Sequence, residues 1–172
     1  MSDFVSDPAT ARLVDQIDWS RWQAKDLATL LFVVRDGEIL LIRKKRGLGA
    51  GKINGPGGKL DPGETPEACA VRECQEELCI TPLAPRYCGQ HLFQFVDGYS
   101  IHVWVYRSDS YEGEVTETDE ALPLWFPVDQ IPFDEMWEDD RLWLPLMLEE
   151  KPFLARYIFD DDSMVDHAIE LV

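Results

Sequence analysis

The chain has 172 residues and 45 % hydrophobic content, which suits one domain with a sizeable core. Its net charge of −17 repels polyanions, which argues against a DNA or RNA polymer as partner. A small phosphorylated molecule remains open, provided that a bound cation supplies local positive charge.

Residues 1–26 read as an N-terminal extension. Asp7-Pro8 suits a helix start, and Leu13, Val14 and Ile17 make a short apolar stripe, so a short helix is expected there. This N-terminus lacks the basic start and apolar stretch of a secretory leader, and no apolar run approaches the roughly 18 residues of a membrane span. A cytoplasmic location with no membrane partner is the expectation, and a monomer is the expected state. The main domain is expected over residues 27–172, opening with a continuous apolar run at 27–35 that reads as a buried strand. Asp36-Gly37 turns it into a second strand at 38–43. A glycine-rich loop follows at 47–58. Gly47, Gly51 and Lys52 imitate a Walker loop, but the glycines stand too close together and Ile53 occupies the place of the Mg²⁺-holding Ser or Thr. These glycines suit a backbone that passes close to a ligand or metal.

A helix is expected over 65–78, with Thr65 as its cap and Pro66 in its first turn. Strands are expected at 86–96 and 100–108 around Asp97-Gly98, then an acidic loop at 109–120 and a strand near 122–128. A second helix is expected from 139 to 149, and two strands near 153–159 and 164–171 close the chain. Cys69, Cys74, Cys79 and Cys88 contain no C-x2-C pair, so free thiols are expected rather than a zinc site.

The helix at 65–78 carries the chemistry. At about 100° per residue, Glu73, Glu76 and Glu77 share one arc, while Ala70, Val71, Cys74 and Leu78 share a core-facing one. Three carboxylates on one stripe repel one another, and a hard divalent cation would remove that repulsion while also accepting phosphate oxygens. The ordinary alternative is a solvated acidic helix.

Gly58, Glu64, Arg72, Glu73, Glu76, Glu77 and Ile80 match the box G-x5-E-x7-R-E-U-x-E-E-x-G-U, in which U is a bulky aliphatic residue. On these residues the chain resembles the Nudix superfamily. Cys74 stands at an aliphatic position, and Cys79 replaces the glycine that ends the family's helix with positive φ. Further likeness runs through residues 44–60, Gly89-Gln90, Phe93-Gln94-Phe95, Thr118-Asp119-Glu120, Trp125-Phe126 and the segment from Asp129 to Asp140, with Trp143 and Pro145. These segments resemble the branch of the superfamily that hydrolyses oxidised purine nucleoside triphosphates.

The resemblance implies the α/β Nudix fold, a mixed β-sheet sandwiched between α-helices. It implies Mg²⁺, with Mn²⁺ able to substitute, held by Gly58, Glu73, Glu76, Glu77 and Glu120. The glutamates would be catalytic, with Glu120 orienting or deprotonating water. Arg72 would hold the glutamate stripe by ion pairing. Asn54, Phe93, Trp137, Asp139 and Asp140 would hold the base, Leu48 would line its pocket, and Lys44 would meet the triphosphate. The partner would be a small-molecule nucleotide. Trp137 can stack on a purine, and adjacent aspartates in a closed pocket resist ionising together, so one would donate while the other accepts. Read alone, Trp137 would be core, the aspartates a helix cap, Phe93 a strand residue and Glu120 one acid of an acidic loop. Leu48 and Ile53 replace aromatic residues of the family, which bears on base selectivity.

Two other functions compete. A different substrate (ADP-ribose, a dinucleoside polyphosphate or an RNA 5′ end) would keep the hydrolase chemistry. Phe95 stands where ADP-ribose hydrolases carry a proline, and Val96, Asp97 and Gly98 stand where dinucleoside polyphosphate enzymes carry a tyrosine, with Tyr99 a near miss. A non-catalytic nucleotide-binding module is the third reading, and it has no need of the full glutamate stripe.

Overall fold

The computed structural model describes residues 3–172; Met1 and Ser2, the start of the extension, lie outside the described residues. In chain order the strands and helices are β1 (Asp26–Arg35), β2 (Glu38–Lys44), β3 (Ile53–Asn54), β4 (Gly57–Lys59), α1 (Pro66–Leu78), β5 (Ile80–Leu83), β6 (Arg86–Phe95), β7 (Ser100–Ser108), β8 (Ser110–Gly113), β9 (Ala121–Pro127), α2 (Asp140–Leu148), β10 (Phe153–Asp160) and β11 (Ser163–Leu171).

β1 organises the molecule because both of its faces are buried, which is why it reads as a continuous apolar run rather than an alternating one. Leu31 and Val33 join Ala70, Cys74 and Leu78 of α1 in one core. Phe32 and Val34 point the other way, into a second core with Trp143, Leu144 and Met147 of α2. β2 repeats the division, with Leu40 and Ile42 toward α1 and Ile39 and Leu41 toward α2. The sheet is thus a mixed layer between two helices.

β1 also forks. Its first half pairs antiparallel with β4 through Ala28–Lys59, Thr29–Gly58 and Leu30–Gly57, while its last residues pair with β2 through Val34–Ile39 and Arg35–Glu38. Along its other edge it runs parallel to β7, and the order continues β7, β6, β10, β11, with β10 parallel to β6. β2 carries β3 on one edge and β9 on the other. The strands diverge at the fork, and the cleft of the protein lies there.

Three expectations need correction. The extension forms two single 3-10 turns, Pro8–Thr10 and Val14–Gln16, instead of a short helix. The chain lies flat on the sheet there: Ala11 and Ile17 are extended and buried against Ile158, and Val14 N–H donates to the Asp166 carboxylate at 2.7 Å. Leu13, expected in the apolar stripe, is exposed. The acidic loop at 109–120 is not wholly irregular, because Ser110–Gly113 pairs with Ile80–Leu83 in a small second sheet. That pairing spans four residues on each strand, too few for alternation to give a signal. The glycine loop likewise contributes β3 and β4.

Candidate active site

α1 begins as its sequence dictates. Thr65 Oγ accepts from Ala68 N–H at 3.2 Å, and Pro66 follows it. The helix ends at Cys79, which adopts the left-handed conformation at φ 61° and ψ 27°, the backbone that the family's glycine normally supplies.

Arg72 ties the stripe together. Its Nε donates to Glu64 Oε2 at 2.7 Å, and its guanidinium also reaches Glu73 at 2.9 Å, Glu76 at 3.1 Å and the Lys59 carbonyl at 3.1 Å. The Arg72 fork holds the Glu64 carboxyl down at about 2.

The carboxylates then divide. Glu73, Glu77 and Glu120 each bring an oxygen within 4.8 Å of the others, whereas Glu76 is exposed, paired with Arg72 and outside that group. Glu120 reaches the cluster through sheet register. β9 begins opposite Lys44, Lys45 N–H donates to the Glu120 carbonyl, and Thr118 Oγ donates to the Glu77 carbonyl at 2.7 Å. Arg46 pairs with the Glu120 carboxylate at 3.0 Å.

Burial pushes Glu77 up to about 9, reinforced by Glu73 and then Glu120. Burial raises Glu73 as well, against the pull of Arg72. Glu77 Oε2 is buried and has no protein hydrogen-bond partner among the described residues. Three clustered carboxylates, one with an orphaned oxygen, fit a hard divalent cation that takes oxygen ligands. Gly58 makes room for this group. A Cβ there would stand 2.5 Å from the Glu73 carboxyl carbon, so only a glycine lets β4 pass so near. The Gly58 carbonyl accepts from Cys69 Sγ at 3.5 Å.

A cavity of about 730 Å³ opens beside the cluster, and Glu77, Glu120, Lys44, Leu48, Asn54, Gly58, Phe93, Trp137, Asp139 and Asp140 all line it. Trp137 meets Phe95 edge-on at 6.3 Å and Phe159 at 5.7 Å, and the Gly49 backbone lies against its indole nitrogen. Phe93 stacks on Tyr157 at 4.7 Å. Asn54 Oδ1 accepts from Gly55 N–H at 2.8 Å, which leaves its N–H₂ for another partner. Lys44 Nζ donates to the Leu48 carbonyl at 2.7 Å, and Leu48 itself is half exposed at the mouth.

Asp139 and Asp140 are 2 % and 3 % exposed. They do not cap α2: no side-chain cap hydrogen bond forms, and Asp139 has helical φ and ψ. Instead Trp143 Nε1 donates to both carboxylates, at 2.9 and 3.1 Å. Asp139 Oδ1 and Asp140 Oδ2 have no protein partner among the described residues. Burial raises Asp139 to about 6, and burial together with the neighbouring Asp139 raises Asp140 well above the usual carboxylate range. Burial and their mutual repulsion thus oppose ionisation of both carboxyls together.

Sequence reasoning missed His91, Tyr157 and Arg46. The first had a usable signal. Alternation along β6 sets His91, Phe93 and Phe95 on one face, and all three line the cavity.

A model of the NUDIX domain matches residues 24–147. The chain belongs to the Nudix family. It is 47 % identical to the oxidized purine nucleoside triphosphate hydrolase of Danio rerio over 85 % of this chain and 95 % of that one. The protein of that name from Mus musculus is 39 % identical, again over 85 % of this chain and 95 % of its own. Among solved structures, the MutT protein from Bacillus halodurans superposes with a TM-score of 0.75 at 22 % identity, covering 84 % of this chain and 97 % of that one, a likeness of fold. This Nudix chain keeps the glutamates and Arg72 of the box, and its Cys79 adopts the backbone of the glycine it replaces.

Proposed function

We propose that this Nudix protein hydrolyses oxidised purine nucleoside triphosphates, such as 8-oxo-dGTP or 2-hydroxy-dATP, to the monophosphate and pyrophosphate, and so keeps damaged nucleotides out of nucleic acid. The observation that carries the reading is one cavity lined both by Glu77 and Glu120 of the carboxylate cluster and by the buried Asp139–Asp140 pair. The names of the relatives from Danio rerio and Mus musculus support the substrate class.

Glu73, Glu77 and Glu120 would hold Mg²⁺, with Mn²⁺ as substitute, and Glu76 would turn from Arg72 to help. The cation supplies charge neutralisation for the phosphates and the leaving pyrophosphate. Glu120 takes a proton from water as the water oxygen bonds to phosphorus. The anhydride bond to the pyrophosphate then breaks, and the electron pair leaves with it. Lys44, whose ammonium is disfavoured by burial, faces the same cavity and would meet a phosphate oxygen. Asp140, protonated, would donate to the base and ionised Asp139 would accept from it. Exchange of that proton would accommodate an oxidised adenine. Trp137 supplies a stacking face. A monomer in the cytoplasm, acting on a free nucleotide, completes the proposal.

The test is pyrophosphate release from 8-oxo-dGTP, 2-hydroxy-dATP, dGTP and dATP, with ADP-ribose and a dinucleoside polyphosphate as further arms, each with Mg²⁺ and with chelator. Preference for the oxidised triphosphates, abolished by chelator, is expected. Preference for ADP-ribose or a dinucleoside polyphosphate would move the substrate class. Binding without turnover would make the chain a nucleotide sensor.

A further inference from the structure

His91 is fully buried, and its Nε2 has no protein partner among the described residues. It lines the cavity from β6, on the face that also carries Phe93. Its ring packs 4.4 Å from Trp143, edge-on, and Trp143 is the residue that donates to both Asp139 and Asp140. Phe93, Phe153 and Tyr157 enclose the rest of the ring at 5.1 to 5.5 Å. A polar atom in so aromatic a setting is costly to leave unpaired.

The neighbour of the ring settles its tautomer. His91 Nδ1 lies 3.0 Å from the Tyr157 hydroxyl, which makes no other hydrogen bond among the described residues. If Nδ1–H donated, the tyrosine hydrogen and Nε2 would both be left unpaired. If the hydroxyl donates to Nδ1, every group is satisfied except Nε2–H. Burial holds the imidazole neutral, with its proton affinity lowered to about 3, and burial keeps the Tyr157 hydroxyl protonated. The dyad therefore leaves one neutral N–H unpaired on a residue that lines the cavity.

We propose that His91 is a specificity residue whose Nε2–H donates to an acceptor atom on the purine, and that Tyr157 is the positioning residue that fixes this tautomer. The inference rests on the proposed purine site and adds a donor beside the acid pair. Its effect on selectivity follows: a base without an acceptor at that point leaves a buried N–H unpaired, and the site rejects it.

The experiment measures binding of the product 8-oxo-dGMP, together with thermal stability, for wild type, His91→Leu, His91→Gln and Tyr157→Phe. Expected are roughly tenfold weaker binding for His91→Leu, recovery of most of it by His91→Gln, and a smaller loss for Tyr157→Phe. Ring ¹⁵N shifts of the intact protein should report Nε2–H, moving when 8-oxo-dGMP binds. Wild-type affinity in His91→Leu would overturn the proposal and leave His91 as packing against Trp143. A Nδ1–H tautomer, or ring shifts indifferent to the nucleotide, would overturn it even if the variants failed to fold. If wild type itself binds no oxidised purine nucleotide, the proposed function fails first, and that outcome is distinct from the others.

Discussion

Glu77 shows how a single side chain is placed for function against stability. Its carboxylate is buried between Glu73 and Glu120, with one oxygen unpaired, a costly arrangement for the protein alone. Glu77→Gln keeps the shape and removes the charge. Turnover is expected to fall by orders of magnitude, while the melting temperature without metal equals or exceeds that of wild type; a large loss of stability instead would show that the carboxylate serves the fold. Asp139 gives a pH signature of a different kind. Its carboxyl sits at about 6 in the folded protein against 3.8 for a free one. A group raised in this way favours folding fully below its unfolded value, and the contribution is lost as pH rises through the folded value. Stability is therefore expected to decline between about pH 4 and pH 6 by an amount that Asp139→Asn removes, as read from denaturant midpoints.

At the scale of elements, two backbone positions shape the box. Cys79 occupies left-handed space at φ 61°, which costs a side-chain-bearing residue about 1–2 kcal/mol before any compensation. Cys79→Gly is expected to be neutral or stabilising by up to about 1 kcal/mol, with activity unchanged; a large loss of activity would reveal a role for the exposed thiol. Gly58→Ala is expected to do the opposite, because its Cβ meets the Glu73 carboxyl at 2.5 Å and displaces a carboxylate of the cluster. Loss of metal-dependent activity with a modest change in melting temperature would confirm that; wild-type activity would show that β4 can shift. The helix carrying the box was legible in the sequence because Thr65, Pro66 and the 3.6-residue periodicity all agree, and α1 spans Pro66–Leu78 as they require. The strands at Arg86–Phe95 and Ser100–Ser108 were legible from their length and the Asp97-Gly98 turn. β5 and β8 were not, since a strand of four residues is too short to show a period. Nor was the divergence of Glu76 from Glu73 and Glu77: one helical arc is shared by all three, but only tertiary contacts decide which carboxylates face Glu120 and which face Arg72. His91 was hidden because a lone histidine in an apolar strand reads as core, and its partner Tyr157 lies 66 residues away.

Over the whole molecule, the groups of the proposed site are spread along the chain and converge at the β1 fork. Asn54 and Gly58 come from short strands, the glutamates from α1 and the start of β9, the aspartates from the start of α2, and His91 and Phe93 from β6. The N-terminal segment buttresses this assembly from outside. Trp22 Nε1 donates to Gln94 Oε1 at 2.8 Å on the strand that holds His91 and Phe93, and Trp22 packs on Trp19 at 5.2 Å. Trp22→Ala is expected to cost about 2 kcal/mol of stability with kcat preserved. Equal stability would show that the segment is an ornament, and a lost kcat would place it in the site. No helix among the described residues is long and apolar enough to cross a membrane. The central claim is that a buried acid pair reads an oxidised purine while a carboxylate cluster in the same cavity holds the metal. Its most direct test is the ratio of kcat/KM for 8-oxo-dGTP to that for dGTP, measured in wild type, Asp139→Asn and Asp140→Asn across about pH 5 to 9. The expected result is a wild-type preference for 8-oxo-dGTP that falls roughly ten- to hundredfold in both variants, with the pH profile shifted and folding intact. An unchanged ratio and an unchanged pH profile in both variants would contradict it.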